Sequence, residues 1–164
     1  MIREAEEKDS ERYKLLIAEL EAETDFLLYG RGERSWTLDR VKGLIQHCSE
    51  HPASQLLLSE DEDGWNGHVT VLGGTAPRNR HTARLVTGVK KRVQGKGVAD
   101  ALFHHVETWA KDHGISRLEL TVMTANTRAV RFYEKHGYIK EGTKQGTLMV
   151  DGQLMDEYMM AKIL

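Results

Sequence analysis

The stretch from Leu85 to Trp109, LVTGVKKRVQGKGVADALFHHVETW, constrains the fold more than any other part of the chain. Leu85, Val86 and Val89 form a short apolar run, and Gln94-Gly95-Lys96-Gly97 is too flexible to continue a strand. From Val98 onward, Val98, Leu102, Val106 and Trp109 recur at helical spacing, with Ala99, Phe103 and Ala110 widening the apolar stripe and Asp100, Glu107, Lys111 and Asp112 on the opposite face. Strand, loop and one-sided helix in this order describe a unit that packs against a sheet. Gly95 and Gly97 accept positive φ and carry no Cβ, so several backbone N–H groups converge at the helix start, where unpaired donors and the helix dipole favour a phosphate. A tight connection without a ligand is the competing reading of such a turn.

Two common phosphate loops are excluded. A dinucleotide-binding turn needs G-x-G-x-x-G directly after its strand, but Asp100 stands at the third glycine position and five residues separate Val89 from Gly95. The nucleoside-triphosphate pattern G-x-x-x-x-G-K-[ST] is absent. Gln94, Gly97 and Ala99 instead fit Q/R-x-x-G-x-G/A. Downstream, ISRLELTVMTANTRAVRFYEKHGYIKEG contains a strand ending before Asn126, a short helix with Phe132 and Tyr133, and a glycine stop at Gly137 followed by Tyr138. These two blocks, spanning about residues 81 to 142, resemble motifs A and B of the GNAT N-acetyltransferase superfamily.

The resemblance implies an α/β fold with a mixed, mostly antiparallel central sheet flanked by helices, in one domain over residues 1–164. It implies transfer of an acetyl group from acetyl-CoA to a primary amine, on a small molecule or a protein N-terminus, by direct attack on the thioester. A catalytically silent CoA-binding or regulatory module is the alternative. Gln94, Gly95, Lys96, Gly97, Val98 and Ala99 inherit the pyrophosphate, and the backbone of Thr87, Gly88 and Val89 the pantetheine amides, with Gly88 expected to make room for the arm. Lys90, Lys91, Arg92 and Lys96 form a basic cluster that could meet phosphates or simply be solvated. Asn126 is expected to bind CoA or to cap the short helix.

Amine acetylation needs an unprotonated nucleophile and a proton for the departing thiolate. Tyr133, seven residues beyond Asn126, matches the family tyrosine often assigned to protonating the sulfur. The base is open: the position five residues before Asn126, a glutamate in some relatives, is Thr121, which leaves Glu119, His81 or no dedicated base. In the family, the region between the first two helices commonly borders the acceptor pocket, so Asp25, Tyr29 and Glu33 are candidate acceptor contacts. Phe26 and Leu28 in the same loop read more simply as core anchors.

The remaining sequence bounds the class. Lys plus Arg at 23 against Asp plus Glu at 25 removes charge-driven nucleic-acid binding as an expectation. A lone Cys48, read as a helix-face residue, excludes an internal disulfide, and no metal-ligand spacing occurs. MIREAEEKDSERY lacks an apolar leader core and no run reaches membrane-spanning length, so a cytoplasmic protein is expected, with a homodimer left open. Ahead of the first block come a short strand near Ile2, a helix from about Asp9 to Glu23 capped by Asp9 or Ser10, and a helix from about Thr37 to Ser49. A hairpin of Gln55–Ser59 and His68–Leu72 follows, with residues 60–63 as its solvated acidic tip. The chain closes with Thr147–Val150 and Tyr158–Ile163 around Asp151-Gly152, whose tip is expected to be longer than that turn signal.

Overall fold

The computed structural model describes residues 1–164. The elements run β1 (Ile2–Glu4), α1 (Ser10–Glu23), α2 (Leu38–Glu50), β2 (Gln55–Asp61), β3 (Gly64–Gly73) and β4 (Thr82–Val89). After them come α3 (Val98–Asp112), β5 (Arg117–Met123), α4 (Thr127–Lys135), β6 (Ile139–Val150) and β7 (Gln153–Ile163). The strands form one sheet in the order β1-β2-β3-β4-β5-β7-β6. All neighbours are antiparallel except β4 and β5, whose parallel pairing needs the long crossover that α3 supplies. The expected mixed, mostly antiparallel sheet is therefore what forms.

Both faces of the central strands are covered, which is why Leu56-Leu57-Leu58 is apolar without alternation. Leu57, Val69 and Val71 pack with Leu102, Phe103 and Val106 of α3. Leu56 and Leu58 face the other way, into a cluster with Tyr13, Leu16, Ile17 and Leu20 of α1 and Val41 and Ile45 of α2. By the same alternation His68 and Thr70, opposite in direction to Val69 and Val71, point to the α1 side.

The feature that positions the site is a pairing that stops early. Thr82–Arg84 pair with Arg117–Glu119, and then the β4–β5 ladder ends although β4 continues to Val89 and β5 to Met123. β3 holds β4 from one side and β7 holds β5 from the other. The two strands diverge into a wedge.

Several local expectations are corrected. The β2–β3 strands extend farther than predicted and turn at Glu62-Asp63; Asp61 is bound by Arg92 and Trp65 Nε1 donates to Glu60, so the acidic run is partly engaged. The closing hairpin turns on Asp151 and Gly152 alone, with φ 50° and 76°, and is tight rather than long. β6 begins at Ile139, before the predicted start, because an edge strand exposed along most of its length shows no apolar alternation. Asp9 does not cap α1 through its side chain: it accepts the Glu6 N–H and two Arg3 N–H groups, and Arg3 holds its carboxyl below the usual range. Thr37 does cap α2, accepting the Arg40 N–H at 3.3 Å.

Candidate active site

One side of the candidate site is built from backbone. Gly97 is the N-cap of α3 with φ 81°, and Gly95 has φ 77°. The N–H groups of Gly95, Gly97, Val98, Ala99 and Asp100 have no acceptor in the chain. A Cβ on Gly97 would meet no protein atom within 4 Å, so the left-handed backbone, not crowding by neighbours, requires glycine there. These donors open into a cavity of about 380 Å³ that also involves Thr87, Gly88, Val89, Gln94, Phe132 and Tyr133. Free donors at a helix N-terminus, an open approach and an adjacent strand edge fit a pyrophosphate with a pantetheine arm. Lys96 does not line this cavity.

The strand edge can be assigned residue by residue. Lys90 N–H turns to the Asn66 carbonyl on β3, whereas the Val89 carbonyl turns the other way and accepts from Gln94 Nε2 at 3.3 Å. Alternation then gives Thr87 the same outward direction as Val89, with N–H and C=O on the open edge. Gly88 faces β3 and is not on that edge. The space its missing side chain leaves is taken by Leu20 Cδ1, 2.9 Å from an ideal Cβ, and by the His68 ring at 3.5 Å, so room for the arm is not its role.

The expected basic cluster is partly committed elsewhere. Lys90 pairs with Glu19 at 2.5 Å, Arg92 with Asp61 at 2.7 Å, and the Lys91 N–H donates to Glu23. These contacts anchor the loop to α1 and to the β2–β3 turn. The cations that line the cleft are Lys91 of the expected cluster and Arg128, at the start of α4, which lies against Gly95.

A second cavity, about 520 Å³, lies on the α1 side of the wedge. It shares Leu20, Phe26, Leu27, Thr87, Asn126 and Tyr133 with the first, so the two meet at these residues. Tyr133 is 8% exposed, and its hydroxyl bonds to nothing in the chain. Burial pushes the phenol up to about 12, so it remains a proton donor at neutral pH. Phe103, Phe132 and Tyr138 pack around the ring and fix its direction. Asn126 caps α4, its Oδ1 accepting the Ala129 N–H at 3.2 Å, beside the junction.

The second cavity is built from side chains that the sequence reading missed. Tyr13 Oη lies 3.2 Å from His68 Nδ1 and 3.4 Å from Thr70 Oγ1. Burial, helped by the positive charge of Arg34, holds the His68 imidazole down to about 4. Arg34 is paired with buried Glu21 at 2.5 Å and stacks on Tyr29 and Trp36. Arg84, an exposed residue, also lines the cavity and has neither an acidic partner nor a side-chain hydrogen bond within the chain. The alternation His68, Thr70 against Val69, Val71 was the available signal of a polar, inward-facing strand edge.

Other expected site residues lie elsewhere. Glu119 does not line either cavity; Arg117 binds it at 3.0 Å and also holds Glu141, at the paired end of β5. His81 is exposed ahead of β4, where its carbonyl accepts from Ser116 and Arg117. Asp25 is exposed and outside both cavities, Tyr29 lies against Arg34, and Glu33 turns back to accept the Gly30 N–H at 2.7 Å. The loop contributes Phe26, Leu27, Leu28, Arg34 and Trp36 instead. Phe26 and Leu28, 40% and 69% exposed, are cavity walls and not core anchors.

The model of the acetyltransferase (GNAT) family matches residues 14–138. The L-amino acid N-acetyltransferase AaaT of Escherichia coli (strain K12) is 27% identical over 168 residues, covering 99% of this chain and 97% of the relative. An acetyltransferase of GNAT family from Streptococcus pneumoniae superposes with a TM-score of 0.94 at 29% identity, covering 100% of this chain and 99% of the other. The Salmonella typhimurium protein yncA, solved with its cofactor acetyl-CoA, superposes at 0.87 with 17% identity, covering 100% and 93%.

Proposed function

Since this chain belongs to the GNAT family of acetyltransferases, acyltransferases that use acetyl-CoA, we propose that it acetylates the α-amine of a small amino acid with an apolar side chain. The observation that carries this reading is the meeting of two differently built cavities at Tyr133, with Arg84 an uncommitted cation in the second. A carboxylate on the acceptor would pair with Arg84, while Leu27, Leu28, Val86 and Leu148 suit an apolar side chain. The amino-acid activity in the name of the Escherichia coli relative supports the same class.

Acetyl-CoA supplies the electrophilic thioester carbonyl and a thiolate leaving group. The N–H groups of Gly95 and Gly97 to Asp100 hold the pyrophosphate, with Arg128 adding positive charge, and Thr87 offers its N–H and C=O to the arm. Tyr133 donates its hydroxyl proton to the departing sulfur from the junction of the cavities. Asn126 fixes the start of α4 and so the direction of Tyr133.

The test is an acceptor panel of L-amino acids, polyamines and peptides with free N-termini, read by thiol release. Preferred turnover of apolar L-amino acids over their decarboxylated amines supports the assignment. Equal turnover of the decarboxylated amines, or turnover of peptides or polyamines alone, overturns it.

A further inference from the structure

We propose that His68 is the proton acceptor of the transfer: its Nε2 receives the proton of the attacking amine, while Tyr13 and Thr70 hold the ring with Nδ1 protonated. This rests on the reading of the second cavity as the amine site. His68 is 4% exposed and lines that cavity, and only its Nδ1 is bonded within the chain. Nε2 has no protein partner, yet it is not among the buried polar atoms sealed without one. An imidazole so deeply buried, with one nitrogen anchored and the other open to a cavity, has the form of a group held for a ligand.

The anchoring contacts give a consistent proton arrangement. With Nδ1 protonated, His68 Nδ1–H donates to Tyr13 Oη and the Tyr13 hydroxyl donates to Thr70 Oγ1, which leaves Nε2 with an unused lone pair. The ring edge is flanked by Gly88, and α1 seats Tyr13 against the ring at a centroid distance of 5.5 Å. The other charged and titratable groups that line the same cavity are Tyr13 and Glu21 from α1, Arg34 from the following loop, Arg84 from β4, Tyr133 from α4 and Glu157 from β7. Glu21 is held by Arg34, and Glu157 accepts from Thr147 Oγ1 at 2.7 Å. Of these groups only His68 and Tyr133 are neutral with an unpartnered polar atom, and of the two only the imidazole nitrogen is a base, the phenol being held as a proton donor.

The step balances. The amine first loses a proton to solvent; its nitrogen then forms a bond to the thioester carbon. The C–S bond breaks with its electron pair going to sulfur, which takes the Tyr133 proton. The extra proton on nitrogen passes to His68 Nε2, and solvent returns a proton to Tyr133 as His68 releases one. Burial that keeps His68 neutral near pH 7 also makes it a weak base, but the nitrogen of the adduct is far more acidic than a free ammonium, so a weak neutral acceptor suffices.

The tautomer is measured on the free protein with ¹⁵N-labelled histidine by NMR. Protonated Nδ1 with bare Nε2 is expected; the opposite tautomer overturns the proposal without any variant or acceptor. Kinetics then use the best L-amino acid of the acceptor panel. His68→Gln should lower kcat at least about 10²-fold with acetyl-CoA affinity unchanged. Added imidazole should restore turnover to His68→Ala, a response that a packing role would not give. Wild-type kcat in His68→Gln, or a larger loss in Glu157→Gln than in His68→Gln, overturns the assignment. A wild-type protein that acetylates no amine in the panel would instead remove the acceptor reading, leaving the tautomer result to stand.

Discussion

The two cavities that meet at Tyr133 are made in opposite ways. The first cavity, the proposed acetyl-CoA cleft, is formed largely by main chain, from the N–H groups around Gly95 and Gly97 and the outward edge of β4 at Thr87. The second cavity, the proposed acceptor site, is formed by side chains from six or more segments, among them Tyr13, Arg34, His68, Arg84, Thr121 and Glu157. A backbone site depends on conformation, so few residue types are demanded and their spacing is local. A side-chain site depends on which segments the fold brings together. The first should tolerate most substitutions outside its glycines, and the second should change with each residue that lines it.

The largest effect expected is at the shared residue. Tyr133→Phe should keep acetyl-CoA affinity and lower kcat by roughly 10²–10⁴-fold, as for loss of a general acid. Turnover at the wild-type rate, with chemistry shown to be rate-limiting, would remove the hydroxyl from the mechanism.

Next is a stability effect confined to the acceptor side. His68 has its imidazole held near 4 against an ordinary 6.5, so between those values the unfolded chain binds more protons than the native one. Native stability should be steady above pH 6.5 and fall as the pH drops to about 4, by up to about 3 kcal/mol. Urea unfolding of wild type and His68→Gln across that window measures it; parallel curves would show that His68 is not the titrating group.

Arg84→Ala should raise the KM of a carboxylate-bearing acceptor about 10-fold or more and leave acetyl-CoA untouched, the loss of one hydrogen bond to a charged group being about 1.5–3 kcal/mol. An equal change with a decarboxylated amine would show that Arg84 does not read the carboxylate. Gly97→Val forces a β-branched residue to φ 81° and should raise the KM of acetyl-CoA, strain of about 1–2 kcal/mol corresponding to roughly 10-fold. A folded variant with unaltered cofactor affinity would undo the pyrophosphate assignment. The smallest effect belongs to Asp25→Asn and Glu33→Gln, exposed residues outside both cavities, whose acceptor KM should stay within about 2-fold of wild type. A larger rise in either would extend the acceptor site onto the outer face of the loop.

Legibility followed the same division. Gly95, Gly97, Val98 and the helical stripe beyond them are consecutive, and their chemistry is a local conformation, so both cleft and helix could be read directly. Tyr133 and its neighbour Asn126 could be placed together from the sequence because one is on a single short helix and the other caps it. Glu119 and Glu33 misled because a carboxylate at a suitable spacing looks available in a sequence, whereas Arg117 and the Gly30 N–H occupy them in space. Lys90 and Arg92 misled similarly, their carboxylate partners lying in α1 and in the β2–β3 turn.

By itself the sequence determined the elements, the mixed sheet and the glycine turn that opens α3, because periodicity, glycine placement and motif spacing act within a few residues of one another. Only the tertiary structure decided where β4 and β5 part, which cations remain uncommitted, and that Tyr13 of α1 meets His68 of β3 fifty-five positions along the chain. Those outcomes depend on contacts between segments distant in sequence, and burial then sets the charge state of each group that the contacts enclose.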